Sequence, residues 1–262
     1  MTSVTNVTRD TRVTILGCGA SGGVPRIGPD WGTCDPTEPK NRRLRSSIVV
    51  EQGGNRVLID TTPDLRQQLL SNDISEFDAV LYTHAHADHS HGIDDMRTLF
   101  RINRHAYPVH ASAATFKMLK RNFAYAFAAE DKLYAPFFVD HELSGRFQVG
   151  GMEIRPYEQD HGHMPSTGYR IGDVAYSTDL INLPPQSLET LAGVDTLIVQ
   201  ALRPAPHPTH AHLDLSLEWI AKIQPRRAIL THMNHEMDYA TLCRELPKGV
   251  EPAYDGMVVD VL

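Results

Sequence analysis

The 262-residue sequence predicts an α+β fold in which two sheets lie sandwiched between helices. Two observations predict it. Short apolar runs bounded by Gly, Pro, Asn and Asp recur along the chain and read as strands. Both halves share a β-rich, then helix-containing plan, which suggests two similar layers packed on each other. A third observation concerns chemistry. Histidine is abundant, with 14 residues that are mostly clustered, and three of them join one aspartate in Thr83-His84-Ala85-His86-Ala87-Asp88-His89.

The elements follow in order. Residues 1–11 are polar and Thr-rich, and are expected to form a frayed end or an edge. Arg12–Gly17 reads as a strand that runs into Gly17-Cys18-Gly19-Ala20-Ser21-Gly22-Gly23-Val24-Pro25. A dinucleotide fingerprint needs a helix directly after its glycines. Pro25 and the turn cluster 28–32 argue against one, so this stretch is expected to be a loop passing beneath the site. Residues 35–45 form a polar loop with a basic cluster of Lys40, Arg42, Arg43 and Arg45. It is either a solvated surface or a contact for an anionic substrate or partner.

Ser46–Glu51 and Arg56–Asp60 read as strands joined by Gly53-Gly54. A helix starts near Pro63 and runs to about Leu70. Phe77–Tyr82 is a short strand, the histidine loop follows it, and a helix continues from Gly92. The stretch 98–140 is expected to be an aromatic, helix-containing insertion in a single domain spanning 1–262. It holds a strand at Tyr107–Ala111 and a helix pattern at Ala113–Arg121. Its aromatic density, Phe123, Tyr125, Phe127, Tyr134, Phe137 and Phe138, points to core or to a homodimer surface. Further strands are expected at 147–149, 152–157, 168–171, 174–177, 195–199 and 227–231. Helices are expected at 187–191, 212–223 and 238–246.

Composition narrows the classes. A net charge of -7 argues against a general electrostatic grip on nucleic acid or anionic membranes. Three widely spaced cysteines, Cys18, Cys34 and Cys243, do not suggest a disulfide framework. The polar N-terminus lacks an apolar secretory core, and no run approaches the length of a membrane span. A reducing cytoplasm is the simplest compartment.

Histidine and aspartate are the N and O ligands of zinc and similar cations. Three further candidates stand where strands end: His161, Asp179 and His232. With Asp60 and the His84-x-His86-x-Asp88-His89 set, they stand in the order of the five motifs of the metallo-β-lactamase superfamily, which the chain resembles from about Val13 to Leu262. The resemblance implies a four-layer αββα sandwich with a dinuclear metal site at one edge. It implies that His84, His86 and His161 hold one ion, that Asp88, His89 and His232 hold the second, and that Asp179 bridges them. Asp60, with Asp64 beside it, would orient the ligands. The histidine after Asp88 separates the chain from lactamases proper. His86 stands where the diiron redox branch has Glu, so hydrolysis is expected. Zn²⁺ fits the donor set best, and Mn²⁺ fits nearly as well.

The Gly17-x-Gly19-x-Ser21-Gly22-Gly23-Val24-Pro25 and Thr231-His232-Met233-Asn234-His235 stretches look like a narrower branch. It contains the phosphoribosyl cyclic phosphodiesterase of phosphonate breakdown and is related to tRNA 3′-processing nucleases. The resemblance implies hydrolysis of a small cyclic nucleotide- or ribose-type phosphodiester by a hydroxide bridging two metals. It also implies a catalytic histidine, for which His212 is the best positional match and His210 and His207 are alternatives. Arg42, Arg45 and His210 are the expected substrate contacts. The branch founder holds a structural zinc with three cysteines and a histidine matching His235. This chain has only Cys34 in that region, so that zinc is expected to be lost. The rival readings are a tRNA 3′-processing ribonuclease, a thioester or lactone hydrolase, and a non-catalytic metal-loaded binding protein. The ribonuclease is disfavoured by the acidic balance and by the lack of a Lys-rich arm between Phe147 and Leu191.

Overall fold

The computed structural model describes residues 11–129 and 135–261. The expectation for residues 1–10 and the aromatic Tyr134 lie outside the described residues. In the first half the strands are β1 (Thr11–Gly17), β2 (Ser47–Gln52), β3 (Asn55–Ile59), β4 (Ala79–Leu81), β5 (Tyr107–Ala111) and β6 (Phe138–Glu142). The helices between them are α1 (Leu65–Ser71), α2 (Ala87–Ser90), α3 (Ile93–Asn103), α4 (Ala113–Asn122) and α5 (Ala124–Phe127). The second half adds β7 (Phe147–Val149), β8 (Met152–Asp160), β9 (Pro165–Ile171), β10 (Val174–Ser177), α6 (Pro185–Leu191), β11 (Thr196–Gln200), α7 (Leu213–Ile223), β12 (Arg227–Thr231), α8 (Tyr239–Glu245), β13 (Val250–Pro252) and β14 (Met257–Val261).

The strands form two seven-stranded sheets, ordered β14-β1-β2-β3-β4-β5-β6 and β13-β12-β11-β10-β9-β8-β7. Packing follows from alternation. Ile48, Val50, Val57 and Ile59 share a core with Ile154, Tyr169, Ile171, Leu197 and Val199 of the other sheet. Their sequence neighbours Val49 and Leu58 point the opposite way, into a core with Leu65, Ile93, Met96 and Phe116. A strand buried on both faces needs cover on both, which is why β2 reads as a continuous apolar run. Successive side chains face opposite layers, so the four layers are the only way to bury both sets. The αββα expectation is met.

Two expectations change. The stretch 98–140 is not set apart from the sheets. Its strands β5 and β6 extend the first sheet by parallel pairing, Tyr107 with Phe138 through Ala111 with Glu142. Phe116, Phe137 and Phe138 are buried in the outer core of the same chain. These aromatics therefore fill the space between the sheet and α3–α5. The loop 35–45 is also not a uniformly solvated surface. Pro39–Asn41 makes one 3₁₀ turn, and Lys40 Nζ sits 4.2 Å from the Tyr254 ring centroid. Arg43 is only 2% exposed. No helix among the described residues is long and apolar enough to cross a membrane.

Candidate metal centre

Strand direction gathers the site. β3 and β4 are parallel, and β8, β10, β11 and β12 share one direction in the second sheet. Their C-terminal ends therefore lie along one edge. Asp60 follows β3, Thr83 and His84 follow β4, His161 follows β8, Asp179 follows β10, and His232 follows β12. Two bonds pin the sheets together there: Thr167 N donates to Thr83 O at 2.9 Å, and the Tyr169 hydroxyl donates to Tyr82 O at 2.7 Å. Asp60, Asp179 and His232 each have positive φ, at 66°, 53° and 52°. Left-handed backbone is costly for residues with a Cβ and concentrates at functional sites. Here it turns each chain sharply off its strand.

The ligand-type atoms of His84, His86, His161 and Asp179 lie within 4.8 Å of one another, and so do those of Asp88, His89, Asp179 and His232. Asp179 belongs to both groups and divides its oxygens between them. Its Oδ2 is 3.6 Å from His84 Nε2 and 3.5 Å from His161 Nε2, while its Oδ1 is 3.3 Å from His89 Nε2 and 3.0 Å from His232 Nε2.

Hydrogen bonds behind these atoms fix the tautomers. His89 Nδ1 donates to Asp60 Oδ2 at 2.7 Å. Thr83 Oγ1 donates to the same oxygen at 2.7 Å, which leaves the hydroxyl to accept from His84 Nδ1 at 3.0 Å. His161 Nδ1 donates to the Thr209 carbonyl at 2.9 Å. In all three rings the Nε2 lone pair is thereby left to face the cluster, the arrangement that metal-ligating histidines need. His89 Nε2 and both nitrogens of His232 are buried with no hydrogen-bond partner. Orphaned buried acceptors of this kind are rare unless an ion completes them. The residues present fit a pair of divalent cations.

Electrostatics agree. Burial pushes the Asp179 carboxyl up, but His232 and His89 outweigh it and hold the group well below its usual range. Asp88 is likewise held low by His89 and His232 against its burial. Burial lowers His232, and the facing Asp179 overcomes this to push it up to about 9. The bare cluster thus carries protons on the second histidine set, where a cation would displace them.

The structure separates the remaining expected residues. Asp60 is fully buried and accepts from Thr83 N, Thr83 Oγ1 and His89 Nδ1, which places it behind two of the candidate ligands. His210 packs against the cluster: its ring centroid is 4.7 Å from His161 and 5.3 Å from His232, and its Nδ1 is 3.8 Å from Asp179 Oδ2. No described contact links His212 to the cluster. It stands at the N-cap of α7, its carbonyl accepting from Ser216, with a buried Nδ1 that has no partner. His207 flanks His210 at 5.0 Å. Arg42 and Arg45 are also not brought to the cluster by any described contact. The Arg42 guanidinium lies over the Trp31 ring, and Arg45 is paired with Asp64 at 2.8 Å. Asp64 thus braces Arg45 and Leu44–Arg45 backbone rather than a ligand. His91 is exposed and meets Phe123. Cys34 and His235 do not fall in a ligand cluster among the described residues; Cys34 Sγ is 3.9 Å from Arg43 instead.

Sequence reading did not single out Thr209 or Gln200. Gln200 is fully buried, and its Oε1 accepts from Asp179 N at 2.7 Å and from His210 Nδ1 at 3.1 Å. A polar residue closing the buried apolar run Leu197–Val199 was the available signal.

A two-sheet sandwich with this His/Asp cluster at the strand ends defines a metallo-β-lactamase-fold hydrolase. Residues 55–233 match the beta-lactamase superfamily domain, and the chain belongs to that family. Among solved structures it is similar to a diphosphatase from the PhnP family, with 38% identity, a TM-score of 0.89, and coverage of 96% of this chain and 97% of that one. Zn²⁺-bound PqqB from Methylobacterium extorquens, at 20% identity and TM-score 0.73 over 95% of this chain and all of that one, shares the fold. Among curated proteins, an octanoyltransferase of Porphyromonas gingivalis (strain ATCC BAA-308 / W83) is 32% identical over 254 residues, 94% of this chain and 51% of that protein. The chain spans about half the length of the curated relatives it matches.

Proposed function

We propose that the chain hydrolyses a small phosphodiester, of cyclic ribose phosphate, nucleotide or diphosphate type, with two divalent cations. The division of Asp179 between two histidine groups carries this reading, because a single ion would leave one carboxylate oxygen and three ligands unused. The likeness to a diphosphatase over nearly the full length supports phosphoryl chemistry. In this reading His84, His86 and His161 hold one ion, Asp88, His89 and His232 the other, and Asp179 both. Zn²⁺ and Mn²⁺ both suit imidazole with carboxylate.

The bound cations would supply positive charge against the phosphoryl oxygens and make a coordinated water more acidic. The protein's own groups do the rest. Asp60 keeps His89 and, through Thr83, His84 in the ligating tautomer. Gln200 Oε1 holds the proton of His210 on Nδ1, which leaves Nε2 to receive a proton and pass it to the departing oxygen. Burial pushes His210 down to about 3, with Asp179 opposing. The negative charge of an incoming phosphodiester would push it back up, which favours the ring as a proton donor once substrate is bound. We take a small cytoplasmic phosphodiester, not nucleic acid or membrane, as the partner.

Metal analysis together with the rate of Asp179→Ala on bis(p-nitrophenyl) phosphate tests the two-ion reading. The variant is expected to lose one ion or both and most of its turnover. Wild-type metal content and rate in Asp179→Ala overturn the reading. A panel of cyclic phosphates, diphosphates and thioesters then sets the substrate class.

A further inference from the structure

The glycine-rich loop 17–23 and the basic stretch beside it have no place in the chemistry above, yet they meet beneath His232. Gly19 bridges to Arg45 on one side and to Met233 on the other. Met233 N donates to Cys18 O at 2.9 Å, and Ala20 N donates to Met233 O at 3.1 Å. A Cβ on Gly19 would meet Arg43 Cβ and Leu44 O at 2.9 Å, so the loop lies directly on residues 43–45. Below it runs the Arg43 side chain, 2% exposed. One terminal nitrogen donates to Asn234 O at 3.1 Å; the other donates to Met237 O at 2.6 Å and to Asn41 Oδ1 at 3.3 Å. None of the ion pairs among the described residues involves this guanidinium, and its Nε is buried without a partner.

Burying a cation without an ion pair is unfavourable, and a well-packed apolar side chain is often the more stable choice. What the guanidinium alone provides is a rigid planar fork of donors. Here the fork grips two carbonyls of residues 234–237, the turn that directly follows His232 and leaves it at positive φ.

We propose that Arg43 is a positioning residue for the second ion. Its fork and the glycine loop clamp the turn after His232 from below, so that the imidazole is presented to Asp88 and Asp179 without adjusting on binding. The proposal rests on the two-ion reading. It predicts an asymmetry: the first ion, on His84, His86 and His161, owes nothing to this clamp.

The test is titration of the chelator-stripped full chain with Zn²⁺ and Mn²⁺, read by calorimetry. Wild type is expected to take two ions. Arg43→Met is expected to keep the affinity of the first and to lose about 10–100-fold on the second, the usual scale for groups that orient ligands. Arg43→Lys keeps the charge but not the fork, and is expected to fall between. Equal weakening of both ions, or two wild-type affinities in Arg43→Met, overturns the proposal. If Arg43→Met does not fold, Arg43→Lys is read alone against the same criteria. Failure of both to fold makes Arg43 a scaffold requirement and also overturns it. A wild-type chain that binds a single ion instead refutes the two-ion reading on which the proposal stands.

Discussion

Asp60→Asn separates geometry from charge at the root of the site. Asparagine matches the size of aspartate and tolerates the φ of 66° found there. The native carboxylate is fully buried and accepts three bonds: Oδ1 from Thr83 N at 2.8 Å, and Oδ2 from Thr83 Oγ1 and from His89 Nδ1, both at 2.7 Å. An amide has one acceptor, so its NH₂ must face a donor either way. The less damaging orientation keeps the carbonyl at the Oδ2 position and sets the NH₂ against Thr83 N–H. That forfeits one charge-assisted bond, about 1.5–3 kcal/mol, and weakens the other two. Loss of an orienting group costs about 10–100-fold in metal affinity, or roughly 1.4–2.8 kcal/mol. The two figures agree. Folding itself should suffer less, because burial pushes the Asp60 carboxyl up despite His89, and the amide removes that buried charge. Since Asp60 reaches His89 directly and His84 through Thr83, both ions should weaken together. The assay is metal titration of the stripped variant beside a thermal melt. Wild-type affinity for both ions in a folded Asp60→Asn would refute the tautomer argument.

Two other outcomes follow from the geometry. His210→Ala should lose about 10²–10⁴-fold on substrates with poor leaving groups and far less on p-nitrophenolate esters. A rate profile of His210→Ala and His212→Ala across leaving groups then assigns the acid between the two residues. His110 stacks on Phe147 of the other sheet at 4.2 Å, and burial pushes it down to about 4. Its folded value lies below its unfolded value near 6.5, so its contribution is present above that value. It is lost as pH falls towards 4. The thermal midpoint should drop across that window in wild type and drop less in His110→Phe; equal slopes would remove His110 as the cause.

The metal ligands were legible because four of them crowd one short loop and the others each close an apolar strand, positions where side chains converge whatever the details of packing. The two-layer plan was legible for a related reason: β2, β3 and β11 are apolar on both faces, which only an internal sheet tolerates. β14 shows a clean alternation, with Met257, Val259 and Val261 buried, that a period-two reading can find. β6 shows none, since Asp140, His141 and Glu142 are all exposed, and only its partner β5 makes it a strand. The place of His210 was not legible, because its contacts with His161, Asp179 and Gln200 all reach across the sequence. Nor were Thr209, Gln200 and Arg43. Their roles arise from contacts across 48, 21 and 191 residues of sequence, and no local pattern encodes such pairings.

The ligands come from both sheets: His84, His86, Asp88 and His89 from the first, and His161, Asp179 and His232 from the second. Under the two-ion reading, occupancy would therefore also rivet one rim of the sandwich. Any ion bound only by the folded chain adds stability by mass action, and here that gain is spent across the seam between the layers. Chelation should then loosen the molecule from that rim inward, with amide exchange rising first at Thr83 and Thr167. The opposite rim, where Thr11 pairs with Gln52 and Val261, would stay protected.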